Sequence, residues 1–169
     1  MNRKVIGITG YKNTGKTTLV EGLVRLLTAR GYRIATVKHA HHAFDIDHSG
    51  RDSFRHRQAG AREVAVVSRR MWTIVHSLAQ ENEPDLDEVL AKIGPADLVI
   101  VEGYKRSSLP KIEVRDPALP HPRLDNADGS VIAIATTGPL EGESLPVFSR
   151  DNVEAIADFV VAQMGLATP

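Results

Sequence analysis

The chain has 169 residues, and its 21 basic and 21 acidic side chains give a formal net charge of zero, so no overall field attracts it to nucleic acid. The absence of cysteine excludes disulfides, thiolate metal ligands and a cysteine nucleophile. No apolar run approaches the roughly 20 residues that cross a bilayer, so we expect no membrane contact and a cytoplasmic protein with one domain over residues 1–169.

The first third of the chain predicts a strand, a helix and a second strand. The apolar, β-branched run Lys4–Thr9 is typical of a buried strand. Leucines at helical spacing follow it, and they predict an amphipathic helix that ends at Gly31. Arg33–His39 is the second predicted strand, and a loop with a short helix from about Ser53 to near Gly60 comes next.

The rest of the chain alternates strands with helices. Glu63–Ser68 and Met71–Ser77 predict an antiparallel hairpin that turns at Arg69-Arg70. The later predicted elements are a helix over residues 84–94, an apolar strand Leu98–Val101, short strands in KIEVR, SVIAIA and PVFS, and a helix Asn152–Met164 with a capping box of Asp151 and Glu154. This alternation favours an α/β fold with a mostly parallel sheet.

The glycine-rich stretch GYKNTGKT places Gly10, Gly15, Lys16 and Thr17 in the G-x-x-x-x-G-K-[ST] pattern of a phosphate-binding P-loop. Glycines let the backbone curl so that amide groups face one phosphate, and the helix that follows directs its positive end toward the anion. The lysine would contact the β- and γ-phosphates, and the threonine hydroxyl would ligate Mg²⁺. The predicted nucleotide-binding residues are Gly10, Asn13, Thr14, Gly15, Lys16, Thr17 and Thr18.

A P-loop requires an acidic residue near the Mg²⁺, at the carboxyl end of a neighbouring strand. DLVIVEG offers Asp97 and Glu102, which are separated by about 16 Å along an extended strand. Because ligands bind at the carboxyl ends of parallel strands, Glu102 is the candidate for the metal and catalytic site together with Lys16. The expected fold is a three-layer P-loop NTPase with a mostly parallel sheet and an added antiparallel hairpin.

The stretch KHAHHAFDIDHSGRDSFRHR holds five of the seven histidines and allows three interpretations. His39, His41 and His42 would be the ligands of a zinc site, although neighbouring residues of an extended segment point in opposite directions and no cysteine helps. In a second interpretation the stretch is simply a solvated polar loop.

The third interpretation is a loop that faces the nucleotide and a substrate. Asp45 or Asp47 would reach the Mg²⁺ through water. Arg51, Arg55 and His56 would hold a second anionic group, since the arginine fork binds phosphate through two hydrogen bonds.

In this order and spacing, GYKNTGKTTL, the histidine-rich stretch, DLVIVEGYK and PKIEVRD resemble the MobB family of GTP-binding adaptors in molybdopterin-guanine dinucleotide synthesis. The resemblance implies a homodimer that binds GTP with Mg²⁺, hydrolyses it weakly at most, and assists the guanylyltransferase that attaches GMP to molybdopterin. Other molybdenum-cofactor proteins and molybdopterin itself are further implied partners. The resemblance also implies that the histidine-rich stretch is characteristic of the family and that the hairpin is a candidate dimer interface.

One feature departs from small GTPases. No Asn/Thr-Lys-x-Asp segment is present to read guanine, and Thr136-Thr137-Gly138-Pro139 follows the strand where an aspartate is expected, so Asp151 would have to stand in. Two alternatives therefore stay open: a small-molecule kinase on the same scaffold, and a metallochaperone GTPase that carries nickel or zinc on its histidines.

Overall fold

The computed structural model describes residues 3–40, 50–78 and 81–169. Residues within the chain cluster into two compact units. The first unit comprises Met1–His39 and Ile93–Pro169, and the second comprises Ala40–Lys92. A single domain over residues 1–169 stays a prediction.

The described residues form eight strands and four helices. The strands are β1 (Val5–Gly10), β2 (Ile34–Lys38), β3 (Glu63–Val67), β4 (Trp72–His76), β5 (Leu98–Glu102), β6 (Lys111–Arg115), β7 (Val131–Thr136) and β8 (Val147–Ser149). The helices are α1 (Lys16–Ala29), α2 (Asp52–Gln58), α3 (Leu86–Lys92) and α4 (Val153–Met164). Every element that the sequence predicts is present, with ends that shift by a few residues at most. None of the helices in the described ranges is both long and apolar enough to cross a bilayer.

The first unit is built on a six-stranded sheet with the order β2-β5-β1-β6-β7-β8. All neighbouring pairs in this sheet are parallel. The second unit contains the separate antiparallel pair β3-β4. The predicted fold class, an α/β protein with a mostly parallel sheet and an added hairpin, is therefore confirmed.

The core of the first unit lies between the sheet and helices α1 and α4. Leu19, Leu23 and Leu27 recur at helical spacing along α1 and are almost completely buried, because this spacing directs them to one side of the helix. Ile156 and Val160 of α4 belong to the same cluster. Strand β5 is buried along its whole length, as expected for an interior parallel strand that is covered on both faces.

The parallel register brings the carboxyl ends of β1, β2 and β5 to one edge of the sheet. Ile8 pairs with Glu102, and Lys38 pairs with the same Glu102 from the other side. Asp97 lies at the opposite end of β5, where its carboxylate accepts hydrogen bonds from the Arg33 backbone and guanidinium at 2.7 Å each. These hydrogen bonds lower the pKa of Asp97 to about 2. The prediction that Glu102, and not Asp97, faces the loop after β1 is confirmed.

Helix α4 begins differently from the prediction. The sequence suggests a capping box of Asp151 and Glu154, but the Asn152 side chain caps the helix by accepting a 3.2 Å hydrogen bond from the amide of Ala155. The Asp151 carboxylate is instead bonded to the guanidinium of Arg150 at 3.2 Å. The predicted capping box was therefore wrong, because the helix begins at Val153 and Asn152, not Asp151, is in the cap position.

In the second unit the hairpin has the predicted register and turn. Val67 pairs with Trp72, and the Ser68 amide donates to the carbonyl of Met71 at 2.8 Å, which leaves Arg69-Arg70 at the tip. Helix α2 packs against β3. Large apolar side chains of the hairpin are nevertheless exposed: Val66, Val67, Met71, Trp72 and Ile74.

Candidate functional site

The loop between β1 and α1 has a backbone that few residue types can adopt. Gly10 has φ 144°, Asn13 has φ 66° and Gly15 has φ 91°. Asparagine tolerates the left-handed region better than most residues, and glycine has no side chain to oppose it. A Cβ atom on Gly10 would lie 2.4 Å from the Val114 carbonyl oxygen, so the loop is seated directly against β6.

Lys16 and Thr14 direct their side chains into this loop. The Lys16 ammonium donates a 2.5 Å hydrogen bond to the Tyr11 carbonyl, and the Thr14 hydroxyl donates to the same oxygen at 3.0 Å. Burial lowers the pKa of Lys16, and Glu102 opposes this effect, while the positive charges of Lys105 and Lys38 add to it. Sequence reasoning identified the lysine but not the two other cations near it.

Glu102 is bonded to both flanking segments. Its Oε1 accepts a hydrogen bond from the Thr17 hydroxyl at 2.9 Å and lies 3.3 Å from the Lys38 ammonium. The carboxylate is largely buried, with 11% of the side chain exposed. A hydroxyl and a carboxylate in contact are oxygen ligands of the type that Mg²⁺ prefers. Thr17 and Glu102, both predicted from the sequence as metal ligands, are thus in contact, and their metal-binding role stays a prediction.

The segment after Glu102 contacts the end of β2. Gly103 has φ 101°, and a Cβ there would lie 3.0 Å from the Cβ of His39. Tyr104 has φ 47°, and its ring stacks on the His39 imidazole with centroids 4.5 Å apart. His39 therefore packs against Gly103 and Tyr104, the two residues that directly follow Glu102. What His39 binds stays a prediction.

Three side chains beside the glycine loop were missed by sequence reasoning. The Tyr11 ring contacts the Lys105 ammonium, 3.9 Å from its centroid, and the His121 ring, whose centroid is 4.8 Å away and whose plane is nearly parallel. His121 Nε2 is also 3.3 Å from the Lys12 carbonyl. Because Lys105 comes three residues after Glu102, its proximity to the glycine loop could have been predicted from the sequence. Nothing in the sequence around His121 indicated its contact with the loop.

Arg150, which follows β8, is a further missed residue. Its Nη1 donates to the Thr14 carbonyl at 3.4 Å, and a Cβ on Gly15 would lie 2.6 Å from this same nitrogen. Arg150 also holds the exposed Asp151 carboxylate, the residue that sequence reasoning considered for guanine. At the end of β7, the Thr137 hydroxyl donates to the Asp116 carboxylate at 3.0 Å.

The remaining predicted residues belong to the second unit or are outside the described residues. Arg51, Arg55 and His56 belong to the second unit, where Arg51 precedes α2 and the others lie within it. Arg51 and His56 line an open groove of about 530 Å³ between α2 and β3. Arg55 is 3.9 Å from the Asp52 carboxylate. His41, His42, Asp45 and Asp47 are outside the described residues, and no cluster of three or more potential metal ligands was found in the described part of the chain.

The fold and the loop define a class of protein: an α/β protein whose interior parallel strand leads through G-x-x-x-x-G-K-T into a helix. Residues 5–137 match the family model described as MobB, molybdopterin guanine dinucleotide synthesis protein B. The chain belongs to the MobB family.

Individual relatives match nearly the whole chain. The molybdopterin-guanine dinucleotide biosynthesis adapter protein of Escherichia coli (strain K12) is 36% identical over 163 residues, which are 95% of this chain and 93% of that protein. The adapter protein of the same name from Haemophilus influenzae is 35% identical over 162 residues, 95% of this chain and 90% of that protein. The crystal structure of a MobB homologue from Bacillus stearothermophilus has a TM-score of 0.69 at 27% identity, covering 96% of this chain and 99% of that one.

We expect Gly10→Ala to lower the free energy of unfolding by about 2 to 4 kcal/mol, because the new methyl group would overlap the Val114 carbonyl in an unfavourable backbone region. Gly129→Ala is the matched control. Gly129 has φ 67°, and no atom lies within 4 Å of the position that the new methyl group would take, so that change should cost about 1 kcal/mol. Chemical denaturation of both variants measures the difference, and equal losses would contradict the close packing of the loop on β6.

Proposed function

We propose that this protein is a GTP-binding adapter that assists the attachment of GMP to molybdopterin. The observation that carries the proposal is the 2.9 Å hydrogen bond between Thr17 and Glu102, beside a lysine that projects into a glycine loop. These are the groups that a P-loop protein uses for a nucleotide phosphate and its metal ion. The relatives from Escherichia coli and Haemophilus influenzae, which are named adapter proteins, support the biosynthetic role.

The electrostatics of the loop favour a phosphate ligand. Burial and two nearby lysines lower the pKa of Lys16, so its charged form is less favourable there than in water. A bound polyphosphate would reverse this by placing negative charge among the cations. The amides at the start of α1 would add their positive partial charge.

Mg²⁺ fits the oxygen atoms next to the loop. The Thr17 hydroxyl would ligate the ion directly, and Glu102 would hold it either directly or through water. The ion would neutralise phosphate charge and orient the triphosphate. The Thr17 hydroxyl would ligate the ion through an oxygen lone pair and keep its hydrogen for Glu102, which would remain paired with Lys38.

Hydrolysis is proposed to be weak. A fast GTPase needs a group that orients the attacking water, such as a glutamine. The sequence offers no convincing glutamine for this role near the predicted site, and Gln58 is the last residue of α2 in the second unit. The role is therefore that of an accessory protein, which acts in the cytoplasm with the guanylyltransferase and other molybdenum-cofactor proteins.

We expect calorimetric titration with Mg²⁺ to show GTP binding at least about tenfold tighter than ATP binding, which corresponds to about 1.4 kcal/mol. Lys16→Ala should weaken GTP binding by about tenfold or more, because it removes the cation from the loop. Arg25→Ala is the control, since Arg25 is an exposed cation on the same helix and pairs with Glu21. Tighter binding of ATP than of GTP would contradict the proposal.

The metal site has its own test. Glu102→Gln should remove most of the difference between GTP affinities measured with Mg²⁺ and with EDTA, because the neutral amide cannot stabilise the ion as the carboxylate does. Asp97→Asn is the matched control at the other end of β5, and it should keep the full Mg²⁺ dependence. An unchanged Mg²⁺ dependence in Glu102→Gln would rule out this residue as the metal's acidic partner.

We also propose a homodimer formed through the hairpin of the second unit. Val67, Met71 and Trp72 are 75%, 74% and 68% exposed around one turn, which is unfavourable for large apolar side chains in water. Strands β3 and β4 pair with each other alone among the described strands, so backbone groups at the outer edges of this pair are open to another strand. A second copy would cover both features.

Analytical ultracentrifugation should give a dimer for the unaltered chain and a monomer, or a much weaker dimer, for Trp72→Lys. Val147→Lys is the control, because Val147 is another exposed apolar residue, 43% exposed, on β8 of the first unit. A dimer that persists in Trp72→Lys and dissociates in Val147→Lys would place the interface on the other unit.

A further inference from the structure

The loop after β5 is anchored by a buried lysine. Lys111 is only 2% exposed, and its ammonium donates hydrogen bonds to the carbonyls of Lys105, at 3.1 Å, and Ser107. Ser107 in turn donates from its amide and its hydroxyl to the Tyr104 carbonyl. Gly7 of β1 makes room for this lysine, since a Cβ there would lie 2.9 Å from the Lys111 Cβ.

Burying the Lys111 ammonium costs free energy, which suggests that the anchored loop has to hold a side chain in a fixed position. Burial lowers the pKa of Lys111, because a charged ammonium loses water when it is buried. Backbone carbonyls of the loop replace part of that water. A short loop on the surface does not need such an anchor to remain folded, but a loop that must hold one side chain in place does.

The side chain that the anchored loop presents is Lys105. Its ammonium lies 3.9 Å from the centroid of the Tyr11 ring, and Tyr11 is the second residue of the G-x-x-x-x-G-K-T loop. The positive charge of Lys105 also contributes to the lowered pKa of Lys16. Two cations from separate loops are thus brought together, an arrangement that an anion between them would stabilise.

The place of Lys105 in the chain suggests which phosphate of a bound nucleotide it would contact. Lys105 follows β5, the strand that ends in Glu102, and Glu102 is the proposed partner of the metal. In P-loop proteins the metal bridges the β- and γ-phosphates, so a loop that follows the acidic strand lies on the γ-phosphate side. We propose that the Lys105 ammonium binds the terminal phosphate of a nucleoside triphosphate and lets this protein distinguish GTP from GDP. The inference rests on the proposed function.

A simpler role for Lys105 would be to hold the Tyr11 ring by a cation–π contact. The two roles differ in what they predict for the diphosphate. A lysine that only shapes the glycine loop would affect GTP and GDP equally, because both nucleotides place their α- and β-phosphates in that loop. A lysine that binds the terminal phosphate would affect the triphosphate alone.

The test measures the affinity of the full chain for GDP and for a non-hydrolysable GTP analogue, both with Mg²⁺, by calorimetry. Lys105→Met should weaken binding of the analogue by about tenfold or more and binding of GDP by less than about threefold. Lys105→Arg should retain most of the preference, because it keeps the cation. Arg106→Met, which removes the neighbouring exposed cation, should leave both affinities unchanged.

Equal weakening for the two nucleotides, or no weakening for either, would overturn the inference. Circular dichroism and thermal unfolding confirm that each variant is folded, and Lys105→Gln replaces Lys105→Met if the latter does not fold. If the unaltered chain binds neither nucleotide, the proposed function itself fails and this inference fails with it. If the unaltered chain binds nucleotide and Lys105→Met keeps the same preference for the GTP analogue over GDP, the role of Lys105 is refuted while the proposed function stands.

Discussion

The hydrogen bond between Thr17 and Glu102 is the contact on which the candidate site depends. It joins the start of α1 to the end of β5, although 85 residues separate the two in the chain. The contact exists because β1 and β5 are paired in a register that sets Ile8 beside Glu102. A shift of β5 by one residue would direct the Glu102 side chain to the opposite face of the sheet, and the glycine loop would then have no acidic partner.

The charges around this contact are unbalanced in a way that suits an anion. Burial lowers the pKa of Lys16, and the nearby Lys105 and Lys38 lower it further, while Glu102, which lies 3.3 Å from the Lys38 ammonium, opposes the shift. Like charges in a half-buried site destabilise the folded chain unless another group compensates, and such arrangements are typical of functional sites. Two other ammonium groups and one carboxylate influence Lys16, so added negative charge would favour its charged form. A polyphosphate with its metal ion supplies such charge in a single ligand.

Local patterns in the sequence were sufficient to predict the strands, the helices and the glycine loop between β1 and α1. Glu102 was also predictable, because the geometry of a parallel strand separates its two ends and excludes Asp97. His121 and Arg150 were not predictable, since each reaches the glycine loop from a distant loop whose path depends on tertiary packing. The capping error at Asp151 has a local origin: the helix begins one residue later than predicted, so Asn152 occupies the cap position.

Strand β6 shows most clearly why a local pattern is not enough. Its sequence KIEVR alternates polar and apolar residues, which is typical of a strand with one face in water. In the structure Lys111 and Glu113 on the polar face are 2% and 1% exposed.

Each charged residue of this face anchors a different loop. Lys111 holds the loop that carries Lys105, and Glu113 accepts a hydrogen bond from the Leu124 amide in the loop that carries His121. Arg115 pairs with Glu143, between β7 and β8, at 2.5 Å. Buried charges are unfavourable unless they are paired, so these loops are held by the requirement to satisfy them. The two side chains that contact the Tyr11 ring, Lys105 and His121, are therefore carried by loops that both hydrogen-bond to β6.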